Sequence, residues 1–233
     1  MSSAIKSSIA VSMVDDVFWR QCYNLTNEIK LQYTRGLVSP SLSYKVSGLD
    51  PKKNYSMTVR FEQPDDKKWK WIKNQYQPCE RPDNIECVSR TINHWKGQQK
   101  GSWWMKNNVD FNYIQLTSRT YQEDYPDMVS FSYLFQIRLQ RCFKYIPVLN
   151  IFENEQLIHA ARLEHTEFIA VHTINNRQLK DLKRHIRSLR RVGRCYVSNF
   201  NLNRFLQAPV PQSPLAIINK PKDFSIRNIL ANK

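Results

Sequence analysis

Residues 41–61, Ser-Leu-Ser-Tyr-Lys-Val-Ser-Gly-Leu-Asp-Pro-Lys-Lys-Asn-Tyr-Ser-Met-Thr-Val-Arg-Phe, alternate apolar and polar side chains twice, with one break between. Leu42, Tyr44 and Val46 fall between Ser41, Ser43, Lys45 and Ser47; Tyr55, Met57, Val59 and Phe61 then repeat the pattern. A period of two is that of a strand with one face buried. Gly48-Leu49-Asp50-Pro51 supplies turn chemistry, and Pro51, with φ fixed and no N–H to donate, cannot continue a ladder. The stretch therefore predicts strand, turn, strand.

The same reading extends along the chain. Val129, Phe131, Tyr133, Phe135, Ile137 and Leu139 alternate with mostly polar residues and predict the longest strand, over 129–139. Further strands are expected at 85–92, 109–117, 145–152 and 167–173, separated by loops rather than helices, so the fold class is mainly β, an antiparallel sandwich or barrel. Val17-Phe18-Trp19 with Cys22 and Leu25 suits either a short helix or a strand entry. From residue 177 the period changes, because Leu179, Leu182, Ile186 and Leu189 make an amphipathic helical stripe that Gly193 is suited to end. Beyond about residue 200, Pro209, Pro211, Pro214 and Pro221 interrupt a polar composition. The expected organisation is a flexible arm at 1–14, one domain at 15–195 and a flexible tail at 196–233.

The chain has 233 residues, 41% hydrophobic and 12% aromatic, enough to bury a core, which excludes global disorder. Its net charge of +15 points to a polyanionic partner. No window offers the roughly 18 consecutive apolar residues of a membrane span, and Ser12, Asp15 and Asp16 cut the first apolar run too short for a signal peptide, so a soluble, intracellular protein without a membrane partner is expected. The 5 cysteines form no C-x-x-C pair, and Cys79, Cys87 and His94 match no common zinc spacing. The histidines show no H-E-x-x-H pattern, and no nucleophile elbow or phosphate-cradling glycine loop is present. Asp65-Asp66 and Glu123-Asp124 suit solvated turns. The expectation is a protein that is not an enzyme, with no metal, cofactor or small-molecule substrate.

Residues 177–194, Arg-Gln-Leu-Lys-Asp-Leu-Lys-Arg-His-Ile-Arg-Ser-Leu-Arg-Arg-Val-Gly-Arg, carry eight Lys or Arg against one Asp. Nearly half the charge surplus therefore sits on one helix. The apolar stripe is narrow, so Arg184, Arg187, Arg190, Arg191 and Arg194 are expected to face away from the core together and to neutralise phosphates. A merely solvated basic face is the ordinary alternative for a charge run.

Four blocks in order resemble the T-box DNA-binding domain: Val46-Ser47-Gly48-Leu49-Asp50-Pro51 with Tyr55; Gly101-Ser102-Trp103-Trp104-Met105 followed by Val109, Phe111, Leu116 and Thr117; Lys144-Tyr145 with Pro147; and Thr166-Glu167-Phe168-Ile169-Ala170-Val171 with Asn176, Leu182 and Lys183. The resemblance implies an immunoglobulin-like β-barrel or sandwich with C-terminal helices, a double-stranded DNA partner and a nuclear transcription regulator. Carried over residue by residue, it implies phosphate contacts at Lys144 and Asn176, and Lys183 joins the binding set. Arg138 and Arg141 lie near the Lys144 block and are added candidates.

The departures from the family pattern bear on mechanism. The family's Gly-Arg-Arg-Met-Phe-Pro is Arg35-Gly36-Leu37-Val38-Ser39-Pro40 here, leaving Arg35, displaced, as the candidate for reading guanine. Two minor-groove Phe positions become Leu189, which can act as a small wedge, and Gly193, which cannot. The Arg that follows the family's Tyr-Gln-Pro is Val148. A barrel serving as a protein-interaction or nonspecific DNA-binding module, without sequence readout, is the competing expectation.

In the tail, Phe224-Ser225-Ile226-Arg227-Asn228-Ile229-Leu230-Ala231 resembles the engrailed-homology repression motif, which implies a Groucho-type corepressor as partner. Phe224, Ile226, Ile229 and Leu230 would dock it as the apolar side of a helical turn that Ser225 can cap.

Overall fold

A computed structural model describes residues 8–31, 38–79, 90–118 and 135–191. The first half runs β1 (Ala10–Met13), α1 (Asp16–Asn24), β2 (Glu28–Lys30), β3 (Ser43–Ser47), β4 (Asn54–Glu62), β5 (Lys68–Ile72), β6 (Gln75–Cys79), β7 (Ile92–Asn93), β8 (Gln99–Lys100), α2 (Gly101–Lys106) and β9 (Val109–Asp110). It continues β10 (Gln115–Thr117), β11 (Gln136–Arg138), β12 (Lys144–Glu153), β13 (Gln156–Arg162), a 3-10 turn at Glu164–Thr166, β14 (Phe168–Val171) and α3 (Arg177–Arg191).

The two alternating stretches become β3 and β4 as their period demands, yet they do not pair with each other. β3 lies in a three-stranded sheet of order β1-β3-β9, and β4 in a larger sheet along the path β2-β14-β12-β4-β7, with β13 beside β12 and β8 beside β4. Their inward residues share one core: Leu42, Tyr44, Val46, Tyr55, Met57, Val59 and Phe61 are each at most 4% exposed. Sheet faces sheet, and the chain crosses between them at the turn.

That crossing fixes the corner of the fold. Gly48 has φ +80°, and an added Cβ would stand 2.4 Å from the Ser8 carbonyl oxygen. The Asp50 carboxylate accepts the Lys52 N–H at 2.9 Å, and the Tyr55 hydroxyl accepts the Asp50 N–H at 3.1 Å. Helix α2 closes the corner from outside: Gly101 N–H donates to the Lys53 carbonyl at 2.8 Å, and Trp104 Nε1 donates to the Tyr55 carbonyl at 2.9 Å. Two sequence blocks far apart in the chain, Gly48 to Tyr55 and Gly101 to Trp104, thus form one packed unit.

Several expectations need correction. Two pairings are parallel, β2 with β14 and β10 with β11, each bridged by the long connection that a parallel pair requires. The span read as an arm at 1–14 includes β1, which pairs with β3 from Ala10↔Ser47 to Met13↔Tyr44. The stretch 109–117 is two short strands, because the Asp110 carboxylate accepts the Asn112 N–H at 2.8 Å and turns the chain. Of the strand at 129–139, only 136–138 is strand among the described residues, since 119–134 lie outside them. Of 85–92, the described part is the Ile92 end.

The open choice at 17–25 resolves as helix: Phe18 and Cys22 on α1 pack with Leu179 and Ile186 of α3, and Trp19 enters the main core. The hairpins β5–β6 and β12–β13 escaped the sequence reading because their turns, Lys73-Asn74 and Asn154-Glu155, hold positive φ without a glycine.

Gly101 gives a direct test of the corner. A Cβ there would meet the Asp50 carbonyl oxygen at 2.1 Å, so Gly101→Ala must shift backbone. The expected loss is about 1–3 kcal/mol, read as a lower urea midpoint at unchanged slope.

Candidate nucleic-acid interface

Helix α3 is seated by a buried polar cluster. Glu28 on β2 is fully buried, and its carboxylate accepts the backbone N–H groups of Asn175 at 2.7 Å and Asn176 at 2.8 Å, just ahead of the helix. Negative charge at a helix N-terminus meets both the unpaired N–H groups and the helix dipole. Asn176 is the N-cap: its side-chain oxygen accepts the Leu179 N–H at 3.2 Å, and its Nδ2 donates to the Leu25 carbonyl at 2.8 Å. Both ends of its side-chain amide are thereby engaged within the domain, and the residue stays partly exposed.

Lys183 is also turned inward. It is 6% exposed, and its Nζ donates to the carbonyls of Glu28 at 2.6 Å and Ser39 at 2.7 Å. Burial holds its ammonium below the ordinary lysine range, at about 8, and pushes the adjacent Cys22 thiol up to about 12. Lys183 is a tie between β2, the Ser39 segment and α3 rather than a surface cation. The sequence could not tell them apart, because Lys183 follows Leu182 and lies at the border of the apolar stripe.

At the other end of α3, the Arg190 guanidinium meets Asp15 at 2.5 Å and lies 5.8 Å from the Phe18 ring centre. Asp15 also accepts the Ser41 hydroxyl, and Trp19 Nε1 donates to the Ser41 carbonyl at 3.0 Å. Arg190 remains exposed, with its side chain 43% accessible, while its guanidinium reaches across to Asp15. Leu189, partly buried, packs against the cluster of Phe18, Cys22, Leu179 and Ile186 and so continues the apolar stripe. Lys144 sits 2.8 Å from Glu167 and 4.1 Å from the centre of the Trp69 ring, and its side chain keeps 20% exposure.

The cations left to solvent form a different set. Arg184 and Arg187 are exposed, as are Arg177 and Lys180, which the sequence reading passed over. Positions 177, 180, 184 and 187 repeat at three, four and three, so the four share one helix face and span about 15 Å of axis. That 3-4-3 spacing is legible in the sequence, on the face opposite the apolar stripe. Arg184 pairs with Asp181 at 2.8 Å, but both side chains are more than half exposed, so the pair holds it weakly. Arg141 is exposed in the turn before β12, and Arg138 is exposed on β11. Arg35, Gly193, Arg194 and the motif at 224–231 lie outside the described residues, as does the side chain of Arg191.

Of the remaining candidates, Cys79 donates its thiol to the Lys68 carbonyl, and His94 is buried edge-on between Trp104 and Phe111, where burial holds its pKa down. Among the described residues no cluster of His, Cys, Asp or Glu is arranged to hold a metal ion, and no helix is long and apolar enough to cross a membrane.

The division between seated and exposed cations is measurable. Lys183→Ala takes the donor from the buried Glu28 carbonyl and the part-buried Ser39 carbonyl and is expected to cost about 2 kcal/mol of stability. Arg187→Ala is expected to stay within about 0.5 kcal/mol in the same urea titration.

Comparison with known proteins gives the family. The T-box family model matches residues 11–188. Putative T-box protein 11 of Caenorhabditis elegans is 35% identical over 176 residues, covering 76% of this chain and 52% of the relative. T-box protein 37 of the same organism is 29% identical over 188 residues, covering 77% and 57%. A T-box transcription factor T homolog of Hemicentrotus pulcherrimus is 28% identical over 176 residues, covering 73% and 38%. The chain thus spans 38–57% of the length of these curated relatives. With that match and the two-sheet core closed by α2 and α3, the chain belongs to the T-box family and has its immunoglobulin-like β fold.

Proposed function

We propose that this chain is a sequence-specific, double-stranded DNA-binding transcription regulator that works in the nucleus, not an enzyme, and that it represses by recruiting a Groucho-type corepressor. The observation that carries the DNA part is the stripe Arg177, Lys180, Arg184 and Arg187 on the solvent face of a helix whose other face is locked to the domain. A rigid row of cations matches a phosphate backbone without ordering new structure on binding. Arg141 and Arg138 are offered as further backbone contacts. Lys144 retains enough exposure to share a phosphate with Glu167.

Base reading is assigned to Arg35 and to the end of the helix at Arg191 and Arg194, all three outside the side chains described. The repressor part rests on Phe224, Ile226, Ile229 and Leu230 in the tail. A second reading, a nonspecific or protein-directed module, is favoured by the inward commitment of Lys183 and the capping bonds of Asn176, two of the positions expected to touch DNA.

Selection of the purified chain against a random duplex library separates the two. Enrichment of a defined site is expected, and uniform binding with a steep salt slope would favour the module. Replacing Arg184 and Arg187 together by Ala is expected to weaken duplex binding and to flatten the slope of log affinity against log salt by about 2, since each phosphate contact contributes about 0.9. Phe224→Glu is expected to release repression in a reporter assay at unchanged DNA affinity.

A further inference from the structure

The β5–β6 hairpin stands apart from the sheets of the core. It forms a two-stranded sheet of its own, tied to the domain by Trp69 N–H donating to the Cys142 carbonyl at 2.6 Å and by Asn175 Nδ2 donating to the Tyr76 hydroxyl at 3.0 Å. Trp69, Trp71 and Tyr76 are half-buried and belong to neither hydrophobic cluster of the domain. Three large aromatics on a separate hairpin are not filling the core; they line a cleft of about 390 Å³ against the start of α3, with the Lys144 ammonium lying over the Trp69 ring. That volume lies within the usual range for small-molecule-sized sites, about 300–1,000 Å³.

We propose that this cleft, walled by Trp69, Trp71, Tyr76, Asn74, Lys144 and Gln178, binds an unpaired base of single-stranded nucleic acid, a site separate from the basic stripe of α3. Aromatic faces stack on any base, amide side chains offer both a donor and an acceptor to a base edge, and Lys144 supplies a cation for the attached phosphate. Asn74 and Gln178 are exposed, so their amides remain open to solvent. Trp71 and Tyr76 meet edge to face with ring centres 5.0 Å apart, and the Tyr76 hydroxyl is held by Asn175, itself bonded to Glu28. The aromatic wall is therefore fixed before a ligand arrives.

The surrounding charge selects among occupants. Residues 65–73 carry Lys67, Lys68, Lys70 and Lys73 against Asp65 and Asp66, a balance that favours a polyanion over the proline-rich peptides that also dock on aromatic grooves. Duplex DNA keeps its bases stacked, so its phosphates can reach Lys144 while its bases cannot enter the cleft.

The test compares the full chain binding a twelve-nucleotide oligothymidylate with an abasic strand of equal phosphate count, by fluorescence anisotropy, with a duplex measured in parallel. The thymidylate is expected to bind about tenfold tighter than the abasic strand. Trp71→Ala is expected to erase that difference and to leave duplex binding within about twofold, whereas Trp71→Phe restores most of it. Gln178→Ala, which leaves the aromatic wall intact, is expected to reduce the preference for thymidylate. Equal affinity for the two strands, or a preference that survives both Trp71→Ala and Gln178→Ala, would overturn the proposal. So would a proline-rich peptide that occupies the cleft while thymidylate does not. Because the duplex is scored separately, failure of the base site is distinguishable from failure of the duplex reading.

Discussion

A fully buried carboxylate with its partners fixed around it is the constraint on which the functional face of this domain depends. Glu28 leaves water on folding, and a buried charge is tolerated only when its acceptor positions are filled. Here they are filled by the N–H groups that open α3, while the buried ammonium of Lys183 fills the Glu28 and Ser39 carbonyls about two helical turns further on. Axial position and rotation of α3 follow from these bonds, because a helix held at its start by two N–H groups and at its seventh residue by one side chain has no freedom to turn.

That rotation decides which cations face solvent. With Lys183 pointing inward, Arg177, Lys180, Arg184 and Arg187, at three and four residue spacing, form a single outward row. The tie of Arg190 to Asp15 has a separate effect, since Asp15 also holds Ser41, and Ser39 is already held by Lys183. The segment leading into β3 and the length of α3 are thus braced against the same two carboxylate-bearing elements. The buried ammonium of Lys183 is out of reach of solvent, so the charge of the segment overstates by that one cation what a polyanion can reach.

The opposite corner of the domain uses backbone and aromatic groups for the same purpose. Gly48 and Gly101 let backbone approach backbone, and the Trp104 indole spans from α2 to the first residue pair of β4. Pro147 lies in the middle of β12, in the gap between the stretch paired with β14 and that paired with β13, where its missing donor interrupts no pairing on that edge. The result is a rigid two-sheet body carrying three appendages of different chemistry: a cationic helix, an aromatic hairpin and the edge strand β1.

Alternation of Leu42, Tyr44 and Val46 and of Tyr55 to Phe61 determined the strands and the core without any structure, because a period of two has one folded solution when one face must be buried. The stripe at Leu179, Leu182, Ile186 and Leu189 determined α3 in the same way, and the four family blocks determined the family. What only the tertiary structure decided is direction and partnership. Parallel pairing of β2 with β14 joins residues about 140 apart, a distance over which local pattern carries no information. Lys183 and Arg187 are alike in sequence, both basic and one turn apart on the same helix, yet one is buried on two carbonyls and the other exposed. The difference lies in Glu28 and Ser39, which long-range folding brings beneath one of them and not the other.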